Sequence, residues 1–286
     1  MENREKIDLR GVMVQTFCDI VKKDKNIIVL VSDSTSTSKI APFVEKYPER
    51  LVNVGIAEQD LVGMAAGMSL GGYIPITANA APFLVGRANE QVKNDICYSN
   101  SNVKLVGLNA GVCYGALAST HHSIDDISIM RGFGNIQILA PSDPVEVERI
   151  FNYAIDHIGP VYIRMDSDKF PNLHDSSYRF EIGKVDTLVK GKDISIIAVG
   201  SVVIEAFQAG QMLKEASIDA EVLNISSIRP LNKEQLVSSI VKTQNVITVE
   251  EHSINGGLGS VISEVIAENS ISVKFARHGI PDGEFA

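Results

Sequence analysis

Short runs of β-branched and aliphatic residues alternate with longer amphipathic segments along most of the chain. That is the pattern of helices packed around a mainly parallel sheet. IIVLVSD (27–33) reads as a buried strand whose last residue, Asp33, sits where such strands carry function. LVNVGIAEQD (51–60) reads as a strand running into a helix, LVGMAAGMSLGG, whose small residues permit close packing. YIPITANA (73–80) predicts a strand, and residues 82–100 a helix with Pro82 near its first turn. Further strands are expected at 102–111 and 135–143, then a helix from Pro144 and a strand in GPVYIRMDSD.

The periodicity fades between about 169 and 192, where the chain is polar, charged and contains Gly and Pro. This stretch reads as a linker with room for a short strand pair. A second alternating series follows: strands DISIIAVGS, AEVLNISSIRP, NVITVEEHS and SVKFARHGI, with helices between them. The expectation is an α/β protein of two domains, residues 1–168 and 193–286, joined by the linker 169–192, with no fixed-period repeat.

Composition narrows the class. At 286 residues, 45% hydrophobic and 21% charged, the chain can bury a large core, which excludes disorder, collagen and a disulfide scaffold. A net charge of −9 argues against nucleic acid as a partner. Three cysteines, Cys18, Cys97 and Cys113, are odd in number, without metal-ligand spacing, and point to a reducing interior. No apolar run reaches the roughly 18 residues of a membrane span, and the charged N-terminus has no signal core. A cytoplasmic protein without membrane association is expected.

Candidate chemistry gathers in a few segments. Gly55-Ile56-Ala57-Glu58-Gln59 puts a carboxylate at a strand-to-helix junction inside an apolar stretch. Burial there would raise its pKa and equip it to share a proton with a nitrogen heterocycle; a helix-start glutamate stabilised by the dipole is the competing reading. Ser119-Thr120-His121-His122-Ser123-Ile124-Asp125-Asp126 suits imidazole hydrogen bonding to a polar substrate better than zinc, because no third ligand is near. Arg164, ending the apolar strand PVYIR, has a fork suited to phosphate or carboxylate, against a salt bridge to Asp166 or Asp168. Arg87 has a similar ambiguity, with Glu90 three residues along. Gly256-Gly257-Leu258-Gly259 fits neither a dinucleotide fingerprint nor a P-loop and reads as tight packing at a helix start or subunit contact, with Glu250 and Glu251 as interface groups.

Taken together, GIAEQDLVGMAAG, PFLVGRANEQVKND, STHHSIDDISIMR, ILAPSD and EEHSINGGLGS resemble, in order, the C-terminal portion of transketolases. The resemblance covers about residues 10 to 275. Deoxyxylulose-phosphate synthases and the β subunits of 2-oxo acid dehydrogenases share the same pyrimidine-binding domain. It implies a pyrimidine-type thiamine-diphosphate domain followed by a smaller C-terminal transketolase-type domain. Glu58 then matches the glutamate that hydrogen-bonds the aminopyrimidine, Phe83 the aromatic stacked on it, and Ile56 and Asp33 further cofactor contacts. His121 matches the histidine at the substrate hydroxyls near the reacting carbon, and Arg164 the arginine for the sugar phosphate. Thr37 is expected to add a hydroxyl to the phosphate site, and Arg87 to border the substrate. Asn109 stands where many transketolases place another histidine, and Ala116-Leu117-Ala118-Ser119 replaces the usual acidic Gly motif.

The family's diphosphate and its divalent metal, Mg²⁺ or Ca²⁺, are held by a Gly-Asp-Gly sequence and a later Asn in a separate N-terminal domain. The only Asp-Gly in this chain is Asp282-Gly283, preceded by Pro281, so no metal ligand is expected here. The resemblance therefore implies one subunit of a split transketolase acting on sugar phosphates, with a partner carrying the Gly-Asp-Gly motif, in an α2β2 assembly. An enzyme specialised for a sulfonated or branched ketose, and a non-catalytic assembly subunit, are the alternatives.

Overall fold

A computed structural model describes residues 5–285 apart from 24 and 34. The chain opens with β1 (Ile7–Asp8) and α1 (Leu9–Lys22), then runs through β2 (Ile27–Val31), α2 (Ala41–Lys46), β3 (Leu51–Asn53), α3 (Glu58–Leu70) and β4 (Ile74–Ala80). Asp8 starts α1 by accepting the backbone N–H groups of Arg10 and Gly11, which a helix start leaves unsatisfied. In the segment expected as one helix, Phe83–Arg87 and Val92–Tyr98 are wound with the wider π spacing around a one-turn centre, α4 (Asn89–Gln91). Such windings recur at functional sites, because they re-aim side chains without ending the helix. Next come β5 (Lys104–Leu108), α5 (Asp126–Arg131), β6 (Gln137–Leu139), α6 (Pro144–Asp156) and β7 (Val161–Met165).

The second half contains β8 (Lys169–Phe170), β9 (Asp186–Val189), β10 (Ile194–Ala198), α7 (Val203–Glu215), β11 (Ala220–Asn224), β12 (Ser227–Arg229), α8 (Lys233–Thr243), β13 (Asn245–Ser253), α9 (Leu258–Glu268) and β14 (Lys274–Ile280). A seven-stranded sheet runs β12-β6-β7-β5-β4-β2-β3, parallel except at β12, and a five-stranded sheet runs β14-β13-β10-β11-β9. Every residue of β2, β5 and β7 is buried, as helices on both faces of a parallel sheet require.

Two expectations are corrected here. The linker's short strands do not pair with each other: β8 lies antiparallel to β1, and β9 to β11. The expected single strand AEVLNISSIRP is two, with β11 in the second sheet and β12 crossing to the edge of the first. The halves are therefore interlocked, and one apolar core runs from Leu30 and Leu105 through Ile138 to Ile197, Leu223 and Leu258. A second core lies under α1, α2 and α6, where Phe17 packs edge-on against Phe43 and Phe151.

Candidate active site

The carboxyl ends of β3, β2, β4 and β5 lie side by side, and the loops that leave them carry most of the candidate residues. Asn53, at the end of β3, accepts the backbone N–H groups of Asp33 at 3.1 Å and Gly55 at 2.9 Å. It thereby ties two strand-end loops together. Asp33 is exposed with φ 55°, and Gly55 turns the chain at φ 74°, leaving Ile56 75% exposed. Glu58 follows in the first turn of α3 and is only 3% exposed.

Arg87 answers that buried carboxylate, donating from Nη1 to Glu58 Oε2 at 2.6 Å, and its guanidinium lies 4.8 Å over the Phe83 ring. The local pair with Glu90 is not made; the partner is on another helix. Among the described residues, Arg87 is the one hydrogen-bond donor to the Glu58 side chain. Phe83 meets the His121 ring edge-on at 5.2 Å, and His121 meets the Tyr114 ring at 5.3 Å. His121 Nδ1 is joined to Thr120 Oγ1 at 2.9 Å, which leaves Nε2 to a ligand. Burial raises the Tyr114 pKa, and the Thr37 and Asn109 side chains act in the opposite sense. One line of side chains thus runs from Glu58 through Arg87, Phe83 and His121 to Tyr114.

The His121 loop is closed by a bridge between Gly111 and Ser123 and is held from the C-terminal half. Glu251 accepts the Val112 N–H at 2.8 Å and the Ser201 hydroxyl at 2.7 Å. Ser253 N–H donates to the Ile124 carbonyl at 2.7 Å. Gly111 has φ 69°, and a Cβ there would stand 2.5 Å from the Glu251 side chain, so only glycine fits. Inside the loop Ala118 takes φ 54° and ψ −157°, a region essentially reserved for glycine and worth about 1–3 kcal/mol of strain.

Arg164, the arginine expected at the sugar phosphate, is buried and held by the chain's own groups. It is 4% exposed; Nε donates to Asp126 at 3.0 Å and Nη2 to the Glu251 carbonyl at 2.7 Å. Its partner is therefore neither Asp166 nor Asp168, and Tyr162 two residues earlier donates to the same Asp126 at 2.7 Å. His122 points elsewhere than His121, donating from Nε2 to the Gly115 carbonyl at 3.2 Å. The glycine segment is tight packing: Glu250 accepts the Leu258 and Gly259 N–H groups at the start of α9, and a Cβ on Gly257 would overlap Glu250. Asp143, Glu146 and His174 form a cluster of metal-ligand type, but both carboxylates are filled by hydrogen bonds from Tyr178, Ser142, Ser226, Asn224 and backbone N–H groups.

Sequence reasoning missed Asn53, Tyr114 and the second role of Glu251. The small-residue run GVCYGALA (111–118) carries the signal of a backbone passing close to a neighbour, and Tyr114 is the one large side chain in it besides Leu117.

Fold and site together define an α/β protein whose candidate residues gather at the carboxyl ends of a parallel sheet. A family model described as the transketolase pyrimidine-binding domain matches residues 5–171, and the transketolase C-terminal domain matches residues 183–285. The chain belongs to the transketolase family. It is 54% identical over its full length to an apulose-4-phosphate transketolase subunit of Actinobacillus succinogenes, covering 91% of that protein. It is 39% identical to the corresponding apulose-4-phosphate transketolase subunit of Phocaeicola vulgatus, over 96% of this chain and 88% of that one. A solved structure described as a split gene transketolase, inactive β4 tetramer, superposes with a TM-score of 0.90 at 36% identity, covering 97% of this chain and 91% of that chain. Among the described residues, no helix is long and apolar enough to cross a membrane.

Proposed function

We propose that this chain is one subunit of a split transketolase that moves a two-carbon ketol unit from a ketose phosphate to an aldose phosphate. The observation that carries the reading is the buried Glu58 carboxylate at the head of the line that reaches His121. The relatives named for apulose 4-phosphate favour a branched ketose phosphate as donor.

The residues fit the pyrimidine half of thiamine diphosphate. Glu58 has one internal donor, the exposed Ile56 offers an apolar contact, and the half-buried Phe83 offers a ring face or edge. When bound, the cofactor supplies an electron sink beside the substrate carbonyl. Glu58 would hold the ring nitrogen's hydrogen bond, and Phe83 and Ile56 would exclude water from it. Asp33 is assigned to the cofactor's edge. His121 Nε2 is the group for the donor's hydroxyl proton as the carbon that bears it becomes a carbonyl. With Arg164 buried, Arg87 is the cation of this line with nitrogens still open.

The diphosphate and its Mg²⁺ are assigned to a partner subunit, in an α2β2 enzyme of the cytoplasm. A face for that partner is ready on α3 and the π-wound helix. Gly63, Gly67 and Gly86 have open space where a Cβ would stand, and Leu70 and Tyr98 are exposed. Those small residues permit the close approach of another backbone.

The test is reconstitution. The purified chain alone should not transfer ketol from apulose 4-phosphate; adding the Gly-Asp-Gly subunit, thiamine diphosphate and Mg²⁺ should start transfer. Activity of the chain alone would overturn the split assignment, and an inactive reconstituted complex would overturn the reaction.

A further inference from the structure

We propose that a cleft between β12, α8, α9 and the end of α5 is a binding site for a small organic anion, a carboxylate or phosphate group carried on an apolar body. The cleft encloses about 380 Å³, a size at which small-molecule sites are found. Its apolar lining includes the buried side chains of Ile228, Val261 and Val265. Its charged lining is Arg131, Arg229 and Lys233 against one carboxylate, Glu264. None of these groups belongs to the line from Glu58 to Tyr114, so the inference stands apart from the ketol-transfer reading.

Two of the three cations are answered within the chain. Arg131 donates to Glu264 and to the Gly256 carbonyl, and Lys233 pairs with Glu268 at 2.6 Å. Arg229 is not answered: among the described residues it has no carboxylate partner, in a chain whose net charge is −9. Its Nη1 donates to the Arg131 and Phe133 carbonyls at the end of α5, groups that a helix end leaves unsatisfied. That contact uses one nitrogen. The Nε–Nη2 edge remains, and such an edge presents two parallel N–H groups to two oxygens of a carboxylate or phosphate. Capping α5 needs only a point charge, which lysine would supply, so the planar fork answers a second need.

Lys233 adds to the case. It is the first residue of α8, where the helix dipole disfavours a cation. Its place there costs the helix a little and sets a further positive charge on the cleft. Inorganic phosphate would meet these charges but leave Ile228, Val261 and Val265 uncovered, so the ligand's body is apolar.

The purified chain, without cofactor or partner, is titrated calorimetrically with phenyl phosphate and with benzoate; inorganic phosphate and benzyl alcohol control for the head and the ring alone. At least one aromatic anion should bind at one site per chain with a Kd of about 1 mM or lower, and both controls about tenfold more weakly. The tighter of the two aromatic anions assigns the head group. Arg229→Lys keeps a cation for the α5 carbonyls but removes the fork, and should weaken that binding about tenfold. Lys233→Gln, a surface change, should weaken it about threefold. No saturable binding of either aromatic anion up to about 10 mM overturns the inference. So does either control binding as tightly, or an affinity unchanged in Arg229→Lys. Should Arg229→Lys fail to fold, an unchanged affinity in Lys233→Gln has the same force.

Discussion

A buried carboxylate is costly to ionise unless something answers it, and at Glu58 the answer is one arginine nitrogen at 2.6 Å. The pair is uneven: Glu58 is buried, while the Arg87 side chain is 46% exposed. Removing the acid therefore leaves a guanidinium that water can solvate, so stability should hardly change. Glu58→Gln keeps the volume and the helix start but removes the negative charge. On the reconstituted complex it should lower kcat by about a hundredfold or more while the melting temperature moves little; near-wild-type turnover would remove Glu58 from the mechanism. Glu58 was legible in the sequence because an acid in an apolar strand-to-helix junction stands out by itself. Its partner was not, since Glu90 competes for Arg87 at helical spacing and the real contact spans two helices. Arg164 shows the converse. Its place at a strand end was legible, but its direction follows the period of two that it shares with Tyr162, and both residues turn to Asp126.

Among the elements, those with clear periodicity were legible nearly whole: the strands β2, β4, β5 and β7 and the helices α3, α6, α8 and α9 fall inside the segments read for them. What escaped was set by contacts distant in sequence. Residues 220–229 form two strands because Asn224 turns into the buried cluster with Ser142 and Glu146, after which β12 pairs with β6. The His121 loop likewise owes its shape to Glu251, which no local signal links to Val112, 139 residues away. Glu251→Ala would leave the Val112 N–H and the Ser201 hydroxyl without an acceptor, at about 1–3 kcal/mol. Amide hydrogen exchange across residues 111–123 should then quicken by about tenfold or more, and kcat/KM should fall with it. Exchange that stays at the wild-type rate in that segment would show that the clamp does not hold the loop.

At the scale of the whole molecule, the two sheets are joined by a buried polar knot in the stretch read as a linker. His174 lies between Asp143, at the start of α6, at 3.0 Å, and Asp186, the first residue of β9, at 2.8 Å. The Tyr178 ring covers it at 4.0 Å between centroids, and Tyr178 donates to Glu146. Burial alone would disfavour the imidazolium, but the hydrogen bonds to Asp143 and Asp186 outweigh it and lift the His174 pKa from 6.5 to about 10. Charged His174 thus bridges an element of the first sheet's layer to a strand of the second. A pKa higher in the folded chain than in the unfolded one stabilises most when both states are protonated. The contribution is full below about pH 6.5, the unfolded value, and falls by about 1.4 kcal/mol per pH unit as the pH rises toward 10. His174→Gln keeps one hydrogen bond and loses the charge, so the stability gap between wild type and variant should be wide at pH 6 and narrow by pH 9. Denaturant midpoints of the purified chain at the two pH values measure it. A gap that is constant, or that widens with pH, would mean that His174 is held neutral and that the halves are joined by the shared apolar core and β12 instead.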